Sequence, residues 1–351
     1  MARKWTSITL LVLLAVAAFL TIMQLTETTP ASESVFEQYS PIEPFRDEVP
    51  VRFATNWFHG AEFAGFYVAE KNGLYDELKL DVEFVEYKFG CDIAESLSSG
   101  VVDFALLSTP CFAGTSSDNL DIVAIAAIFQ VEPAVFIVMD GSGIETVKDF
   151  VGKSIIVKNP YWERIIDRVL QAADISPDRV VKDRGAVDIK RFLLGEVDIW
   201  TGYAQNEPVE VDLSGYASKT IYAFDYGLND YEGIIFTRSD IISERPDIVT
   251  AFLSASLRGW NIVVTNPELG LDAVDTFTTG LSIPFQRRSI RELIPYISTG
   301  IAPTGWIDSE RWRTSCARWG IKNPDKYYTD SFLRRVYTER YLEIGNVLVD
   351  K

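Results

Sequence analysis

The chain has 351 residues and a formal net charge of −17, and 47% of its residues are hydrophobic and 13% aromatic. This composition supports one large domain or two medium ones with real cores, and it excludes a disordered chain. Because phosphate binding needs clusters of Lys and Arg, the acidic balance disfavours nucleic acid as a partner.

Cysteine and histidine are scarce, which limits the chemistry of the chain. Cys91, Cys111 and Cys316 are too few and too widely spaced for a disulfide framework, although one bridge between two of them stays open. No CxxC pair is present and His59 is the single histidine, so a zinc site and a Ser-His-Asp triad are both disfavoured. We expect no metal, no cofactor and no catalytic residue.

The first 48 residues read as an export segment and a linker. Residues 1–25 place Arg3 and Lys4 before an apolar run, which predicts a cleaved signal peptide or an uncleaved membrane anchor. Residues 26–48 are rich in Ser, Thr, Glu and Pro, and they predict a polar linker. The folded chain should then begin near Val49 and lie outside the cytoplasm, in the periplasm or on the outer face of the cytoplasmic membrane.

The rest of the chain alternates between strand-like and helix-like stretches. Strands are predicted at VPVRFATNW, LDVEFVEY, VDFALLS, IVAIAAIF, AVFIVMD, the end of TVKDFVGKSIIVK, RVVKD and VDIWTGYA. Helices are predicted between them at FAGFYVAEKNGLY, DIAESLSSG, YWERIIDRVLQAADI and AVDIKRFLLGE, and the C-terminal third is mostly helical. This alternation predicts an α/β fold with largely parallel sheets.

Two segments about a hundred residues apart share one sequence pattern, which suggests two equivalent structural units. LSSGVVDFALLSTP and LLGEVDIWTGYAQNEP each contain a helix end stopped by glycine (Gly100, Gly195), a short buried strand and a polar loop. Ligands of open α/β sheets bind at the carboxyl ends of strands. Two such loops therefore predict two lobes that face each other over one cleft, and the alternative is two ordinary helix–strand units.

Several segments between about Val51 and Glu268 resemble a known family. They include NWFHGAEFAGFYVAEKNGLYDELKLDVEFVE, GVVDFAL, IAAIFQVEPAVFIV, TVKDFVGKSIIV, GEVDIWTGYAQNEPVEVDLSG and FDYGLNDYEGIIFTRSDII. In order and spacing they resemble type II periplasmic solute-binding proteins, and more narrowly the group that binds the thiamine pyrimidine precursor together with its pyrimidine-synthase relatives.

The resemblance implies a domain organisation and a partner. Two α/β lobes would be joined by two hinge crossings, with lobe 1 formed by residues 49–139 plus 237–351 and lobe 2 by residues 140–236. A small solute trapped between them would pass to an ABC-type permease in the membrane, and the binding protein itself is expected to be a monomer.

The expected cleft residues follow predicted strand ends, where aromatic rings could stack on a planar ligand and polar groups could orient it. They are Trp57, Phe63, Ser108, Thr109, Gln130, Tyr161, Tyr203, Asn206, Glu207, Asp225 and Tyr226. The resemblance assigns Glu207 to the ligand site. The alternatives are core packing for the two residues of the first loop, helix capping for Ser108 and Thr109, and a plain loop position for Glu207.

Departures from the pyrimidine group bear on the ligand and on catalysis. Counted from Trp57, Phe63 occupies the slot of the family histidine and His59 that of a proline, while the cysteine-rich motif of the synthases is reduced to Cys111. A synthase is therefore disfavoured. The aromatic loops favour a planar heteroaromatic solute over sulfonate or nitrate, and a flavin stays open.

Two other functions remain beside a transport receptor. An uncleaved anchor would favour a sensory protein that reports a ligand to a membrane partner. An enzyme would have to use Glu62, Glu207, Asp225 or His59 for acid–base work, and these residues form no recognisable catalytic motif.

Overall fold

The computed structural model describes residues 38–85, 93–115, 120–278, 280–339 and 341–342. The predicted signal or anchor segment, the linker up to residue 37 and Cys91 lie outside the described residues. The chain divides into a unit up to Gln38 and a folded unit that starts at Tyr39.

Strands and helices alternate along the folded unit. The strands are β1 (Val49–Ala54), β2 (Leu80–Val85), β3 (Phe104–Leu107), β4 (Ile122–Phe129), β5 (Ala134–Met139), β6 (Ser154–Ile156), β7 (Val181–Asp183), β8 (Ile199–Tyr203), β9 (Ser218–Tyr222) and β10 (Glu232–Arg238). The helices are α1 (Ala64–Lys71), α2 (Ile93–Ser98), α3 (Thr109–Gly114), α4 (Pro160–Ala172), α5 (Ile189–Leu193), α6 (Glu207–Leu213), α7 (Ser239–Glu244), α8 (Pro246–Thr265), α9 (Pro267–Phe277), α10 (Ile283–Ile297), α11 (Ser309–Arg318) and α12 (Leu333–Val336). The predicted α/β fold is confirmed.

The strands form two five-stranded sheets. Sheet I has the order β2-β1-β3-β10-β4, and sheet II has the order β7-β6-β8-β5-β9. The chain crosses from sheet I to sheet II after β4 and returns after β9, so residues 130–133 form the first crossing and residues 223–231 the second.

Each sheet is mixed, so the expectation of largely parallel sheets is wrong. β1 runs parallel to β2 and β3, and β6 runs parallel to β7 and β8. β10 is antiparallel to β3 and β4, and β5 is antiparallel to β8 and β9. The reason lies in the crossings, because a strand that enters from the other sheet starts at the edge where the parallel strands end.

Sheet membership also differs from the predicted lobe boundaries for two strands. Ala134–Met139 was assigned to lobe 1 but pairs within sheet II, and Glu232–Phe236 was assigned to lobe 2 but pairs within sheet I. Both strands are buried almost throughout. An evenly apolar strand carries no pattern that tells which sheet it will join, and this explains the difference.

The last residues of the predicted linker pack against the folded unit. The Tyr39 hydroxyl donates to the Leu257 carbonyl at 2.9 Å, and its ring stacks on Tyr337 with 5.1 Å between ring centroids. Folded structure therefore begins about ten residues before Val49, and the polar composition of this stretch concealed it.

Helix α8 is a core helix that packs closely on α1. Among the described residues it is the one helix long and apolar enough to span a bilayer, but 72% of its apolar window is buried inside the protein. A Cβ on Gly65 would lie 2.1 Å from the Trp260 ring, and one on Gly259 would lie 2.1 Å from the Gly65 carbonyl oxygen. Burial against α1 therefore accounts for its composition.

Candidate functional site

The edges at which the parallel strands of the two sheets end lie at the crossings. In sheet I, β3 and β4 end where β10 begins, since Glu232 pairs with Phe129 and Ile234 with Leu107. In sheet II, β8 ends where β5 begins, since Ala134 pairs with Tyr203. The carboxyl ends of the parallel strands thus converge from both sheets, as binding sites of open α/β sheets require.

A buried tyrosine–glutamate chain occupies the first crossing. Tyr203 donates its hydroxyl to the Tyr161 hydroxyl at 3.2 Å, and Tyr161 donates to Glu132 Oε1 at 3.4 Å. Glu132 has no exposed surface, and Tyr161 is 9% exposed. Tyr161 lies in the first turn of α4, whose N-cap Asn159 accepts from the Trp162 amide at 3.1 Å. The cap fixes the tyrosine beside the crossing.

A second buried glutamate stands at the start of β10. Glu232 is 7% exposed, and its Oε1 accepts from Asn56 Nδ2 at 3.3 Å. Asn56 follows β1, so sheet I supplies both groups. Glu132 Oε2, Glu232 Oε2 and the hydroxyl of Thr109 are buried without a hydrogen-bond partner among the described residues. We name Asn56, Thr109, Glu132, Tyr161, Tyr203 and Glu232 the crossing cluster.

The two glutamates are hard to ionise together. Burial raises the pKa of Glu232 to about 7, with the Asp230 charge adding to the rise. Burial raises the pKa of Glu132 well above its usual range, and the charges of Glu232 and Asp230 raise it further. Two buried carboxyl groups that repel each other keep a proton near neutral pH, and either group can hold it.

This burial predicts that the ligand-free protein is less stable at pH 8 than at pH 5. A carboxyl whose folded-state pKa is raised stabilises the fold at and below its unfolded pKa of about 4.5, and the contribution is lost as pH rises through about 7. For Glu232 the loss is about 3 kcal/mol. Urea denaturation at both pH values should show a smaller difference in Glu232→Gln than in the wild type. Equal differences in the two proteins would contradict the prediction.

Glu207 pairs within its own half of the molecule. Its carboxylate bonds to Lys158 and accepts from the Tyr203 amide at 2.8 Å. A Cβ on Gly202 would lie 2.3 Å from Glu207 Oε2, so the glycine makes room for this turn of the side chain. The ammonium of Lys158 lies 5.5 Å from the ring centroid of Trp200. Lys158 is a basic group after a strand end that the sequence did not single out.

Glu62 approaches the same loop from the other half. It lies in the short 3-10 helix Ala61–Phe63 that precedes α1. Burial raises the pKa of Glu62 to about 7, and the negative charge of Glu207 contributes to this rise. The carboxyl groups of Glu62 and Glu207 are therefore close enough to repel, one from each half.

Four predicted cleft residues make structural contacts. Phe63 is 2% exposed and meets Tyr67 edge-on at 6.3 Å. Gln130 donates through Nε2 to the carbonyls of Ala127 at 2.8 Å and Trp306 at 2.9 Å. Ser108 is the N-cap of α3, and Tyr226 accepts from the Val147 amide at 3.2 Å.

The remaining predicted residues lie at the surface or around the crossing cluster. Trp57 is 46% exposed and packs edge-on against Phe58 at 5.6 Å, while Asp225 is exposed. Asn206 is half-buried at the N-cap of α6. The cluster itself contains the predicted Thr109, Tyr161 and Tyr203.

His59 belongs to an aromatic group beside the first loop. Its Nδ1 is hydrogen-bonded to the Tyr67 hydroxyl, and its ring lies 6.4 Å from that of Phe277. Tyr67 in turn stacks on Phe277 at 4.4 Å. These contacts give His59 a packing role.

Sequence reasoning missed Asn56, Glu132 and Glu232. The signal was present, because FQVEPAVFIV and DYEGIIF each place one glutamate next to a run of apolar strand residues. A carboxyl at such a position is buried when the strand is buried, and buried carboxyls with raised pKa values are candidate functional groups.

Helix α11 joins the two crossings. Arg311 donates to the Gln130 carbonyl of the first crossing and to Asn229 Oδ1 of the second, the latter at 3.0 Å. Asp230 is fully buried and accepts from Ser315 at 2.6 Å, from Trp319 Nε1 at 2.7 Å and from Arg318. The C-terminal part of the chain thus bonds to both crossings.

Two cavities lie away from the crossing cluster. One of about 180 Å³ lies at the opposite edge of sheet I, beside Asp103 and Arg238. The other, of about 540 Å³, lies between sheet II and α10, beside Lys219 and Tyr296. Arg164 of α4 donates through Nη2 to the Pro110 carbonyl of α3 at 3.3 Å, a contact between a helix of one half and a helix of the other. Glu132 and Glu232 are both buried in this structure.

Within the described ranges, no group of three or more His, Cys, Asp and Glu side chains is placed to hold a metal ion. Cys111 and Cys316 are free thiols, and burial raises the pKa of Cys111 to about 11 and that of Cys316 to about 12. Such thiols are poor nucleophiles at neutral pH.

Comparison with known proteins identifies the family. The family model described as "NMT1/THI5 like" matches residues 60–269, more than half of the chain. The chain belongs to the NMT1/THI5-like family. The resemblance drawn from the sequence segments is thereby confirmed.

Proteins similar to this chain are named as binding proteins and as synthases. Riboflavin-binding protein RibY of Chloroflexus aurantiacus is 25% identical over 300 residues, covering 82% of this chain and 84% of the relative. Formylaminopyrimidine-binding protein of Halalkalibacterium halodurans is 23% identical, covering 75% and 82%. The 4-amino-5-hydroxymethyl-2-methylpyrimidine phosphate synthase of Legionella pneumophila is 22% identical, covering 71% and 80%.

Solved structures confirm the fold. The periplasmic aliphatic sulphonate binding protein SsuA from Escherichia coli aligns with a TM-score of 0.62 at 14% identity, covering 82% of this chain and 92% of that one. The chain therefore has the periplasmic-binding-protein fold, with two mixed sheets and flanking helices. The fold alone does not choose a ligand.

Proposed function

We propose that this protein is an extracytoplasmic solute-binding protein that captures a small planar heteroaromatic solute and delivers it to an ABC-type importer. The observation that carries the proposal is the crossing cluster, in which both sheets bring aromatic and polar groups to the edge where this fold can bind ligands. The two sheets would be the cores of two lobes that close on the solute by bending at the crossings.

The chemistry of the cluster favours a nitrogen heterocycle. Tyr161 and Tyr203 provide flat apolar faces with polar tips, and two glutamates and a threonine keep hydrogen-bonding capacity at the same place. The names of RibY and the formylaminopyrimidine-binding protein also indicate planar nitrogen heterocycles as ligands. An oxyanion such as sulfonate would meet two acids, and the one lysine described at these loops is paired with Glu207.

Residues beyond the cluster complete the proposed cleft. Trp57 and Asn206 lie on the loops that follow β1 and β8, one from each sheet, and both retain exposed surface. We place them at the mouth of the cleft, with Glu207 and Lys158 behind Asn206. Closure would bring Trp57 toward the solute, as in pockets that add an aromatic wall on binding.

The enzyme alternative rests on the relatives named as synthases. Against it stand the single cysteine of STPCFAG, the phenylalanine at the family histidine slot, and the raised pKa of the Cys111 thiol. A sensory role depends on an uncleaved N-terminal anchor, which sequencing the N-terminus of the exported protein would reveal.

A thermal-shift screen tests the proposal. The panel should contain aminopyrimidines, riboflavin, thiamine fragments, aliphatic sulfonates and nitrate. A solute present at about 100 times its Kd stabilises the fold by about 2.7 kcal/mol, which shifts the melting temperature by several degrees. We expect a shift with at least one planar heterocycle and none with nitrate. A shift with oxyanions alone, or turnover of a bound pyrimidine, would overturn the proposal.

A further inference from the structure

We propose that Glu132 and Glu232 select the solute by accepting one N–H group each, so that the natural ligand is a planar nitrogen heterocycle with two N–H donors, such as a diaminopyrimidine. This inference rests on the proposed function, because it names the ligand class of the same cleft. The N–H groups of the solute would then bind at the crossings and not at Glu207.

The arrangement of the four carboxylate oxygens carries the inference. Each glutamate has Oε1 held by a protein donor, Tyr161 for Glu132 at 3.4 Å and Asn56 for Glu232 at 3.3 Å. Each also has a buried Oε2 with no partner among the described residues. The two Oε1 bonds fix the carboxyl planes, and the two Oε2 atoms remain as acceptors at the meeting edges of the sheets.

Burial makes these acceptors selective. In the ligand-free protein the two carboxyl groups share a proton near neutral pH, and an N–H donated to each Oε2 would stabilise the ionised forms, so that binding releases this proton. A ligand C–H gives no such stabilisation. A site that hydrogen-bonds an N–H or O–H group of its ligand strongly rejects an analogue that lacks this group. A purely apolar pocket discriminates between similar ligands much less. A solute that presents lone pairs toward the two acids would add repulsion.

Glu207 is the competing acceptor, and its geometry is less suitable. Both of its oxygens already accept bonds, Oε1 from Lys158 and Oε2 from the Tyr203 amide at 2.8 Å. A solute amine would have to share an oxygen that already accepts a bond from the protein. The crossing glutamates require no such sharing.

The test compares two solutes of one shape on four proteins. The probes are 2,4-diaminopyrimidine and 2,4-dimethylpyrimidine, in which methyl groups replace the amino donors. Their affinities are measured by calorimetry on the full chain as exported, and on Glu132→Gln, Glu232→Gln and Glu207→Gln. Melting temperatures of the variants, measured without solute, verify that each one folds.

We expect the protein to prefer the probe that carries N–H donors, and we expect this preference to require Glu132 and Glu232. The wild type should bind the diamino compound at least about tenfold more tightly than the dimethyl compound, as the loss of hydrogen bonds to charged groups implies. Glu132→Gln and Glu232→Gln should reduce this ratio below about threefold. Because Glu207 lies in the proposed cleft, Glu207→Gln should change the affinities for both probes alike and therefore keep the ratio.

Three outcomes overturn the inference and leave the proposed function standing, and a fourth removes both. Equal affinity of the two probes for the wild type shows that donors are not selected. Loss of the preference only in Glu207→Gln places the acceptor on the other loop. Binding of a different planar solute from the screen, with neither pyrimidine probe binding, leaves the proposed function standing and removes this ligand class. Failure of the whole screen removes both.

Discussion

Replacing Asp230 with alanine is expected to lower the free energy of unfolding by about 3–5 kcal/mol, because it leaves buried partners without their acceptor. The Asp230 side chain has no exposed surface, and it accepts from Ser315, Trp319 and Arg318. Its removal leaves Arg318, whose side chain is only 23% exposed, without its partner, together with an indole N–H and a hydroxyl. Urea denaturation monitored by tryptophan fluorescence measures the change.

A second ion pair on the same helix provides the control for Asp230→Ala. Arg313 of α11 pairs with Asp325 at 2.8 Å, and their side chains are 51% and 65% exposed. Exposed pairs contribute about 0–1 kcal/mol, so Asp325→Ala should change the stability by less than 1 kcal/mol. Similar losses in the two variants would show that burial around Asp230 does not decide the effect.

Replacing Gly259 with alanine is expected to destabilise the protein by about 3 kcal/mol, although alanine favours helix. Its new Cβ would lie 2.1 Å from the Gly65 carbonyl oxygen and 2.9 Å from the Ala69 Cβ, and backbone cannot move aside as a flexible side chain can. Alanine's helix preference of about 1 kcal/mol offsets only part of this cost. Helices α1 and α8 would have to separate, and urea denaturation reports the loss.

Gly270 in the adjacent helix α9 is the matched control for Gly259→Ala. Its added Cβ would meet Val263 methyl groups at 3.2 and 3.3 Å, where small side-chain shifts relieve the contact. We expect Gly270→Ala to change the stability by no more than about 1 kcal/mol. A loss as large as that of Gly259→Ala would show that crowding by the Gly65 backbone is not the cause.

The two predicted glycine stops illustrate what local sequence could supply. Gly100 and Gly195 have φ values of 78° and 75°, a left-handed conformation that glycine adopts without strain, and each follows a helix and precedes a buried strand. The similarity of the two segments therefore reflects the same local feature in both sheets, a helix that ends at a left-handed glycine before a buried strand. Amphipathic α4 was predictable for a similar reason, since its buried residues repeat at helical spacing.

The candidate site was less predictable, and Glu207 shows why. A glutamate after a strand end is a reasonable acceptor for a ligand, but whether its oxygens are available depends on neighbours far away in sequence. Lys158 lies 49 residues earlier and bonds to the carboxylate. Glu132 and Glu232 lie 100 residues apart in the sequence, and their interaction arises only because both crossings meet at one edge.

The sequence by itself determined the α/β class, most of the strands and helices, and membership of the family, because hydrophobic periodicity, glycine stops and segment order are local properties of the chain. Only the tertiary structure decided which sheet β5 and β10 join, and that Tyr39 packs in the fold. It also decided which acids are buried with an unpaired oxygen. These outcomes depend on contacts between distant segments, and burial of a carboxyl is a property of its surroundings that its own neighbours in sequence do not encode.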